Sequence, residues 1–292
     1  MTREEIVEGA RQSIDRGSQS FRAASRLFDT ATRERAYLLY CWCRHCDDVC
    51  DGQIYGFGST VRGNVSVLRG KTRRVLGGEP VEELPFLALG QLLRECPIPD
   101  RFLEDHLAGF ALDEVGWQPA SEEDLVLYCY HVAGAVGCMM AILMGVAPSD
   151  EETLERAADL GIAFQLSNIA RDIREDANAG RCYLPLQWLA EHGIEPGQLL
   201  EEKNRAALTA MSRRLVEGVE IFEMSARVGA RRLPFRSRLA VLAALRIYGA
   251  IGRRVRSLGS AAWDRRVTVS KTRKLAYLFP TFAEAVALGW RQ

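Results

Sequence analysis

Two segments of the sequence carry acidic and amide side chains at the spacing of helical turns. In the first segment, side chains three or four positions apart form one polar stripe: Tyr40, Arg44, Asp47 and Asp51. Side chains at this spacing share a face of an α-helix. Carboxylates one turn apart repel each other, and a divalent cation relieves that repulsion because Mg²⁺ binds the oxygens of carboxylates and phosphates. This stripe predicts a metal site, with a solvated acidic helix end as the alternative.

The second segment repeats this arrangement over a longer run. Its polar face carries Gln165, Asn168, Asp172 and Asp176, and its apolar face carries Ile162, Leu166, Ile169 and Ile173. Oxygen donors that rise one turn at a time suit a small cluster of divalent ions. Two such helices facing each other could hold several Mg²⁺ ions and bind a diphosphate, whose departure the metals would assist as Lewis acids.

A long uncharged segment lies between the two stripes. No Asp, Glu, Lys or Arg occurs at the 25 positions from 125 to 149, a length that could span a bilayer. Its flanks are acidic, whereas a membrane anchor normally has basic neighbours, so we interpret the segment as a helix buried in protein. It could line a deep apolar pocket in which aromatic faces stabilise a carbocation away from water. Small residues in it leave room for ligand carbon: Ala133, Gly134, Ala135, Gly137, Ala141 and Gly145.

The chain as a whole has the composition of a folded helical protein. Of its 292 residues, 48% are hydrophobic and 26% are charged, which is typical of globular domains. Apolar residues recur at helical spacing nearly throughout, and no convincing alternating strand pairs occur. We therefore expect one all-α domain over residues 1–292. The net charge is zero, which argues against a nucleic-acid partner.

The charge is unevenly distributed along the chain, however. Residues 226–275 hold fourteen Lys or Arg and one acid, and the remainder carries the compensating excess of acid. This distribution suits a polyanionic ligand held between acidic and basic parts by bridging cations, or an anionic membrane surface. A basic, solvated helix face is the alternative.

Four of the eight cysteines lie close together, at positions 41, 43, 46 and 50. Their spacing resembles an iron–sulfur ligand run, but a regular helix would spread these thiols instead of closing them around a cluster. We favour free cysteines that pack as small apolar side chains. The N-terminus lacks the basic and apolar regions of a secretion signal, so we expect a cytoplasmic protein with reduced thiols. The motifs GxGxxG, HExxH and GxSxG are absent from the sequence, which excludes the usual dinucleotide-binding, zinc-protease and serine-hydrolase classes.

The two stripes and their surroundings resemble the squalene/phytoene synthase family of head-to-head prenyltransferases. The resemblance extends from about residue 15 to residue 265 and depends on five segments: 18–21, 47–51, 128–137, 165–176 and 180–185. The segments 47–51 and 165–176 are similar to the two aspartate-rich motifs of the family. The resemblance implies a helical isoprenoid-synthase fold with a central apolar cavity.

The resemblance also implies a role for each matching residue. The metal ligands would be Asp47, Asp48, Asp51, Asn168, Asp172 and Asp176. The substrate contacts would be Ser18, Ser20, Phe21, Arg44, Gln165, Arg171 and Arg265. The groups beside the reacting carbons would be Tyr40, Arg44, Tyr183 and Tyr248. Several Mg²⁺ or Mn²⁺ ions would bridge the diphosphate, and no nucleotide motif supports or excludes ATP as an activator.

Within the family, the segment 171–185 is more similar to phytoene synthases than to squalene synthases, and squalene formation would require NADPH. The implied reaction joins two geranylgeranyl diphosphates through a cyclopropyl (prephytoene) diphosphate into phytoene, with release of diphosphate, as the first step of carotenoid biosynthesis. The alternative is a dehydrosqualene- or squalene-type synthase that uses farnesyl diphosphate. A non-enzymatic relative typically lacks part of the acidic set, which is complete here. Because the substrate tails and the product are lipids, we also expect peripheral association with a membrane surface.

Overall fold

The computed structural model describes residues 1–52 and 63–289, and within these ranges every regular element is helical. The α-helices in chain order are α1 (Arg3–Gly17), α2 (Gln19–Ser25), α3 (Thr30–Asp51), α4 (Val65–Leu76), α5 (Leu84–Glu95), α6 (Asp100–Glu114), α7 (Glu122–Cys129), α8 (Ala135–Leu143), α9 (Glu151–Asn178), α10 (Leu186–Glu191), α11 (Arg205–Ala230), α12 (Phe235–Leu258), α13 (Lys271–Ala276) and α14 (Leu278–Gly289). A π-helical turn at Tyr130–Gly134 joins α7 to α8. The predicted all-α class is confirmed.

The two helices that carry the polar stripes begin at strong N-caps. Asp29 accepts hydrogen bonds from the backbone N–H and the hydroxyl of Thr32, at 2.9 and 2.7 Å, where α3 starts. Asp150 accepts the same pair of bonds from Thr153 at the start of α9, at 3.2 and 2.7 Å. Each cap satisfies backbone N–H groups that a helix leaves unpaired. α3 ends at Gly52, whose φ of 64° lies in the left-handed region that glycine adopts without steric cost.

Burial of the apolar faces fixes the rotation of both stripe helices. On α3 the buried side includes Leu38, Leu39, Trp42 and Cys46, which pack in a core shared with α1, α5 and α6. On α9 the predicted apolar face is buried, namely Ile162, Leu166, Ile169 and Ile173, in a second core shared with α11 and α12. Tyr130 packs against both cores. Because each apolar face is turned into a core, each polar stripe is turned away from it. That the whole of residues 1–292 forms a single domain stays a prediction.

The uncharged segment forms most of a continuous helical run at residues 122–143. In the part of the chain that the structure describes, this run alone is long and apolar enough to cross a membrane, and half of its most apolar stretch is buried in the protein. Its C-terminal part packs closely against α9: a Cβ atom at Gly137 would lie 2.2 Å from the carbonyl oxygen of Ala157. Such backbone-to-backbone approach agrees with our interpretation of a helix buried in protein.

The cysteines spread around α3 instead of converging. Cys41 and Cys46 are buried in the core, whereas Cys43 lines a cleft on another side of the helix. All eight thiols are free. Among residues 1–52 and 63–289, no three His, Cys, Asp or Glu side chains are grouped so that they could hold a metal ion by themselves. The cysteines therefore behave as the small apolar side chains that the sequence favoured.

Candidate active site

The two polar stripes face each other across one cleft of about 390 Å³. The lining residues from α3 include Tyr40, Arg44, Asp47 and Asp51, and those from α9 include Gln165, Asn168, Arg171, Asp172 and Asp176. Tyr183, which lies before α10, also lines the cleft. Nine sequence-predicted site residues on α3 and α9, together with Tyr183, thus line one cleft. The cleft combines carboxylates with guanidinium groups and tyrosine hydroxyls.

Arginine side chains pair with the carboxylates of the cleft. Arg44 lies 2.9 Å from an oxygen of Asp47 (Nη1 to Oδ2), and Arg181 lies 2.8 Å from Asp51 (Nη1 to Oδ1). On the other wall, Arg171 pairs with Asp172 in a two-pronged contact. Guanidinium groups match both carboxylates and phosphates in geometry. The arginines are therefore already placed where a diphosphate would enter among the acids.

A further arginine reaches Asp172 from the far end of the chain. Arg266 Nε and Nη2 donate to the two carboxylate oxygens of Asp172 at 3.0 and 3.1 Å. Burial disfavours the charged form of Asp172, but the hydrogen bonds from Arg171 and Arg266 outweigh it and lower its pKa below the usual value. Asp172 is therefore ionised whenever the protein is folded at neutral pH.

Two other carboxylates in the cleft are poorly compensated. Loss of hydration raises the pKa of Asp176 to about 7, with repulsion from Asp172 adding to the effect and Arg181 opposing it. Loss of hydration also raises the pKa of Asp47 to about 6, against the attraction of Arg44. Hard oxygen donors that carry uncompensated negative charge are suited to a divalent cation. Because no three of the described acids converge on one point, a cation held by one or two of them would complete its coordination with water or phosphate oxygens.

Asp113 is a cleft residue that sequence reasoning missed. It lines the cleft near the end of α6 and accepts hydrogen bonds from the hydroxyls of Tyr128 and Tyr183, both at 2.9 Å. The two tyrosine rings stack on each other with centroids 5.0 Å apart. A signal was present in the sequence, because His106, Phe110 and Asp113 recur at helical spacing and all three line the cleft. Asp113 fixes the hydroxyl of a predicted catalytic tyrosine.

An apolar cavity of about 290 Å³ adjoins the cleft. Val132 and Val136 line both spaces. The predicted catalytic residue Tyr248 lines the cavity, not the cleft, and stacks on Phe164 with ring centroids 4.1 Å apart. The predicted central apolar cavity is therefore confirmed, and it opens beside the polar site.

Half of the small residues expected to make room for ligand carbon line this cavity, namely Ala133, Gly137 and Ala141. The others have different roles. Gly134 packs against Tyr130, Ala135 is fully buried in the core, and Gly145 follows the end of α8 with a φ of 103°. Helical spacing could not separate the two groups, because the π-helical turn changes the phase of the run at its centre.

Of the predicted N-terminal substrate contacts, Ser18 and Phe21 do not line the cleft. Ser18 is the N-cap of α2, where its hydroxyl accepts the backbone N–H of Phe21 at 3.2 Å. Phe21 lines the apolar cavity and stacks on Tyr40 with ring centroids 5.4 Å apart. The side chain of Ser20 lies outside the described residues. Phe21 thus lies on the apolar side of the site, and its role as a substrate contact stays a prediction.

Two other predicted site residues do not line the cleft. Asp48 lies on the neighbouring face of α3 from Asp47, and one of its oxygens accepts from Arg44 at 2.7 Å. Arg265 and Arg266 are both exposed, and of the two it is Arg266 that binds Asp172. The sequence offered no means of choosing between the two arginines, because residues 264–270 lie outside the α-helices and carry no periodicity.

Comparison with known proteins gives a consistent result over most of the chain. The family model described as squalene/phytoene synthase matches residues 14–273. A 15-cis-phytoene synthase from Enterobacter agglomerans is 46% identical over 276 residues, covering 92% of this chain and 92% of the relative. A 15-cis-phytoene synthase from Pantoea ananas is 42% identical over 297 residues, covering 100% of this chain and 96% of the relative.

Solved structures show the same architecture. A crystal structure of a dehydrosqualene synthase in complex with ligand superposes with a TM-score of 0.86 at 25% identity, covering 98% of both chains. A squalene synthase from Alicyclobacillus acidocaldarius superposes with a TM-score of 0.78 at 21% identity, covering 88% of this chain and 95% of that one. The second likeness concerns the fold alone.

Proposed function

Because this chain belongs to the squalene/phytoene synthase family and is a prenyltransferase of that family, we propose that it joins two geranylgeranyl diphosphates into phytoene. The first condensation gives a cyclopropyl (prephytoene) diphosphate and releases one diphosphate and one proton. Loss of the second diphosphate, rearrangement and loss of one proton give the hydrocarbon, as the first step of carotenoid biosynthesis. The observation that carries the proposal is the polar cleft, lined by five aspartates, that adjoins an apolar cavity.

Divalent cations, Mg²⁺ or Mn²⁺, fit the donor set of this cleft. Asp47 and Asp51 on one wall face Asn168, Asp172 and Asp176 on the other, and these side chains offer the hard oxygens that such ions prefer. The raised pKa values of Asp47 and Asp176 mark negative charge that the described arginines leave uncompensated. When bound, the ions supply Lewis-acid stabilisation of the departing diphosphate. Addition of ATP to the metal-dependent assay tests whether it acts as an activator.

Arginine and tyrosine side chains of the cleft position the diphosphate groups of the substrate. Arg44, Arg171 and Arg266 could exchange their carboxylate partners for the oxygens of a bound diphosphate, because a guanidinium group binds carboxylate and phosphate oxygens in the same geometry. Burial raises the pKa of Tyr40 to about 12, so its hydroxyl stays protonated and can donate to the leaving oxygen. Asp113 holds the hydroxyl of Tyr183 at the opposite wall.

The apolar cavity receives the prenyl tails and protects the carbocation. Its walls near the cleft include the stacked rings of Phe164 and Tyr248 and the ring of Phe21. The face of an aromatic ring attracts a cation, and the apolar lining excludes the water that would otherwise capture it. The proton released at the end of the reaction passes to the departed diphosphate or to a nearby tyrosine.

The protein works at a cytoplasmic membrane surface in this proposal, as a peripherally attached enzyme. Its substrates carry lipid tails and its product is a hydrocarbon, so both partition into bilayers. The basic C-terminal third of the chain would contact anionic lipid.

A second candidate is the condensation of two farnesyl diphosphates to dehydrosqualene, since a ligand-bound dehydrosqualene synthase shares the fold over 98% of both chains. One assay separates the two candidates. The protein is incubated with labelled C15 and C20 diphosphates and Mg²⁺ or Mn²⁺, and the hydrocarbons are identified. Phytoene as the main product is the expected result, and a kcat/KM that favours the C15 substrate would overturn it.

A further inference from the structure

The C-terminal helices present apolar side chains to solvent. Leu275, Leu278, Phe279 and Phe282 recur at helical spacing across α13 and α14, and Phe279 is 83% exposed. Phe235, at the start of α12, extends this surface by an edge-on contact with Phe282, with ring centroids 5.7 Å apart. We call these five residues the C-terminal apolar surface. Contiguous exposed apolar side chains of this kind mark contact with a partner or a membrane.

Helix α14 is apolar on its inner side as well. Thr281 and Ala285 are fully buried against the protein, and the charged residue of the helix, Glu284, is neutralised by Arg227 and Arg246. A helix that is apolar all round is normally enclosed by apolar surroundings. Among the described residues, the protein covers the inner half of α14 and leaves its outer half to the solvent.

The helix is held firmly in this position. Arg238 is 5% exposed, and its guanidinium donates to the backbone carbonyls of Ala230, Arg231, Leu233 and Ala285. These bonds tie α14 to the junction of α11 and α12. The exposed phenyl rings therefore belong to a fixed surface and not to a loose end of the chain.

The charge beside this surface favours an anionic partner. Residues 271–289, which form α13 and α14, contain three basic residues and one acid, and that acid is Glu284, which is already paired. Arg273 is exposed on α13, next to Leu275. Aromatic side chains at the depth of lipid headgroups, flanked by basic side chains that attract anionic lipids, are the two features of peripheral membrane attachment.

The surface also lies over the far end of the apolar cavity. Ala285, on the inner face of α14, packs in one cluster with Ala226 and Ala230, and these two alanines line the cavity. The near end of the cavity meets the cleft at Val132 and Val136. A bilayer on the outer face of α14 would thus be one helix away from the cavity and distant from the charged site.

We propose that the C-terminal apolar surface docks on an anionic bilayer and brings the far end of the apolar cavity to the lipid. This proposal deepens the proposed function and rests on it in one respect: a hydrocarbon product formed in the cavity would partition into an adjacent bilayer. Phe279 and Phe282 enter the headgroup layer, and basic residues of α13 contact the anionic lipids.

Flotation of the full chain with lipid vesicles tests the proposal. The vesicles contain phosphatidylcholine alone or mixed with phosphatidylglycerol. We expect wild type to float mainly with the anionic vesicles, and the double variant Phe279→Ser with Phe282→Ser to bind them about tenfold or more weakly, because two aromatic side chains no longer leave water. The double variant Arg273→Gln with Lys274→Gln should lose most of its preference for anionic over neutral vesicles. The matched control is Val67→Ser with Leu127→Ser, whose side chains are each 54% exposed on other helices, and it should float as wild type does.

Three results would overturn the proposal. If the surface is correct, fewer molecules of the phenylalanine variant than of wild type float with the vesicles. Equal flotation of the two proteins would assign the membrane contact to another part of the chain. Loss of binding in the control variant would assign the contact to α4, which carries Val67, or to the helical run 122–143, which carries Leu127. A wild type that does not float, and forms a dimer that the phenylalanine variant lacks, would assign the surface to a second copy of the chain.

The same proteins separate this proposal from the proposed function. In detergent micelles the phenylalanine variant should retain wild-type turnover, because both rings lie outside the cleft and the cavity. If wild type floats as expected but makes no hydrocarbon from C15 or C20 diphosphates, the proposed function fails and the docking surface stands. If wild type is active and all variants float equally, the docking proposal is refuted and the proposed function is not.

Discussion

Arg266 holds the carboxylate of Asp172 across 94 positions of sequence, with two hydrogen bonds of 3.0 and 3.1 Å. Arg171 holds the same carboxylate from the adjacent position in α9. Two guanidinium groups thus converge on one acid of the cleft, and neither belongs to the neighbouring Arg265. In the proposed reaction, this pair of arginines is the positive site that a diphosphate enters.

Replacing Arg266 should therefore weaken substrate binding more than replacing Arg265. We expect Arg266→Gln to raise KM for the prenyl diphosphate by about threefold to fivefold, since two hydrogen bonds to a charged group are lost but the Arg266 side chain is 59% exposed and partly screened by water. The matched control, Arg265→Gln, should change KM by less than about twofold, because Asp172 pairs with Arg266 and not with Arg265 among the described residues. Steady-state kinetics on both variants check this. A larger effect at Arg265 would reverse the assignment.

Replacement of Asp47 should reduce activity far more than replacement of Asp48, although the two residues are adjacent in the sequence. Asp47→Asn removes a carboxylate that lines the cleft, whereas Asp48→Asn alters one that does not. We expect the first variant to lose activity by about 100-fold or more and the second to lose much less. Both should keep the wild-type circular dichroism spectrum. Equal losses at saturating Mg²⁺ would contradict the distinction between the two faces of α3.

Asp172→Asn should separate activity from stability. The change creates no cavity, so the fold should persist, and loss of the ion pairs with Arg171 and Arg266 should lower the thermal midpoint only modestly at neutral pH. Turnover should fall by about 100-fold or more, because the variant lacks a carboxylate for the cations and a partner for two arginines. Turnover near the wild-type value at saturating Mg²⁺ would exclude Asp172 as a metal ligand.

The metal-free protein should become less stable as the pH rises toward neutrality. Burial raises the pKa of Asp176 to about 7 in the folded chain, against about 3.9 in the unfolded chain. Between these values the folded state binds more protons, so the free energy of unfolding falls with increasing pH. The lowered pKa of Asp172 acts in the opposite sense, but only below about pH 4.

Thermal unfolding in the presence of a chelator measures this dependence. We expect a higher midpoint at about pH 5 than at about pH 8, and a smaller difference in Asp176→Asn, where the titrating group is absent. Added Mg²⁺ should stabilise wild type most at the higher pH, because protons no longer compete for the carboxylates. A midpoint that rises with pH in the chelated wild type would refute the assignment.

A larger side chain on the wall of the apolar cavity should shift the preference of the enzyme from the C20 toward the C15 diphosphate. Ala141 lines the apolar cavity, so Ala141→Phe or the smaller change Ala141→Leu should lower kcat/KM for the C20 diphosphate relative to the C15 diphosphate. One isoprene unit has five carbons, each worth about 0.8 kcal/mol when buried. Leu127→Phe is the control, since that side chain is 54% exposed on the same helical run. An unchanged ratio in both Ala141 variants would place the tail elsewhere.

Much of the site was predictable because it depends on the period of a helix. The apolar residues of α9 fixed which side is buried, and Gln165, Asn168, Asp172 and Asp176 then had to share the opposite side. The same reasoning placed Tyr40, Arg44, Asp47 and Asp51 correctly. The pairing of the two stripes followed from their common chemistry, not from their separation along the chain.

The remainder depends on contacts that no local pattern encodes. Arg266 and Arg181 reach the cleft from irregular segments, where a shift of one position has no signature in the sequence. The resemblance gave Phe21 only as a substrate contact, and no local pattern shows that its ring lines the apolar cavity and not the polar cleft. The phase of the run 122–143 was lost at the π-helical turn, which made Gly134 and Ala135 look equivalent to Ala133.

The shared wall at Val132 and Val136 gives the proposed reaction a direction. Each diphosphate lost removes the group that anchors the molecule among charges, and what remains is more soluble in hydrocarbon than before. The intermediate therefore partitions from the cleft toward the cavity as the reaction advances, past the two valines that line both. Each chemical step thus also favours transfer of the molecule into the cavity, and the final hydrocarbon has no polar group that would favour its return to water.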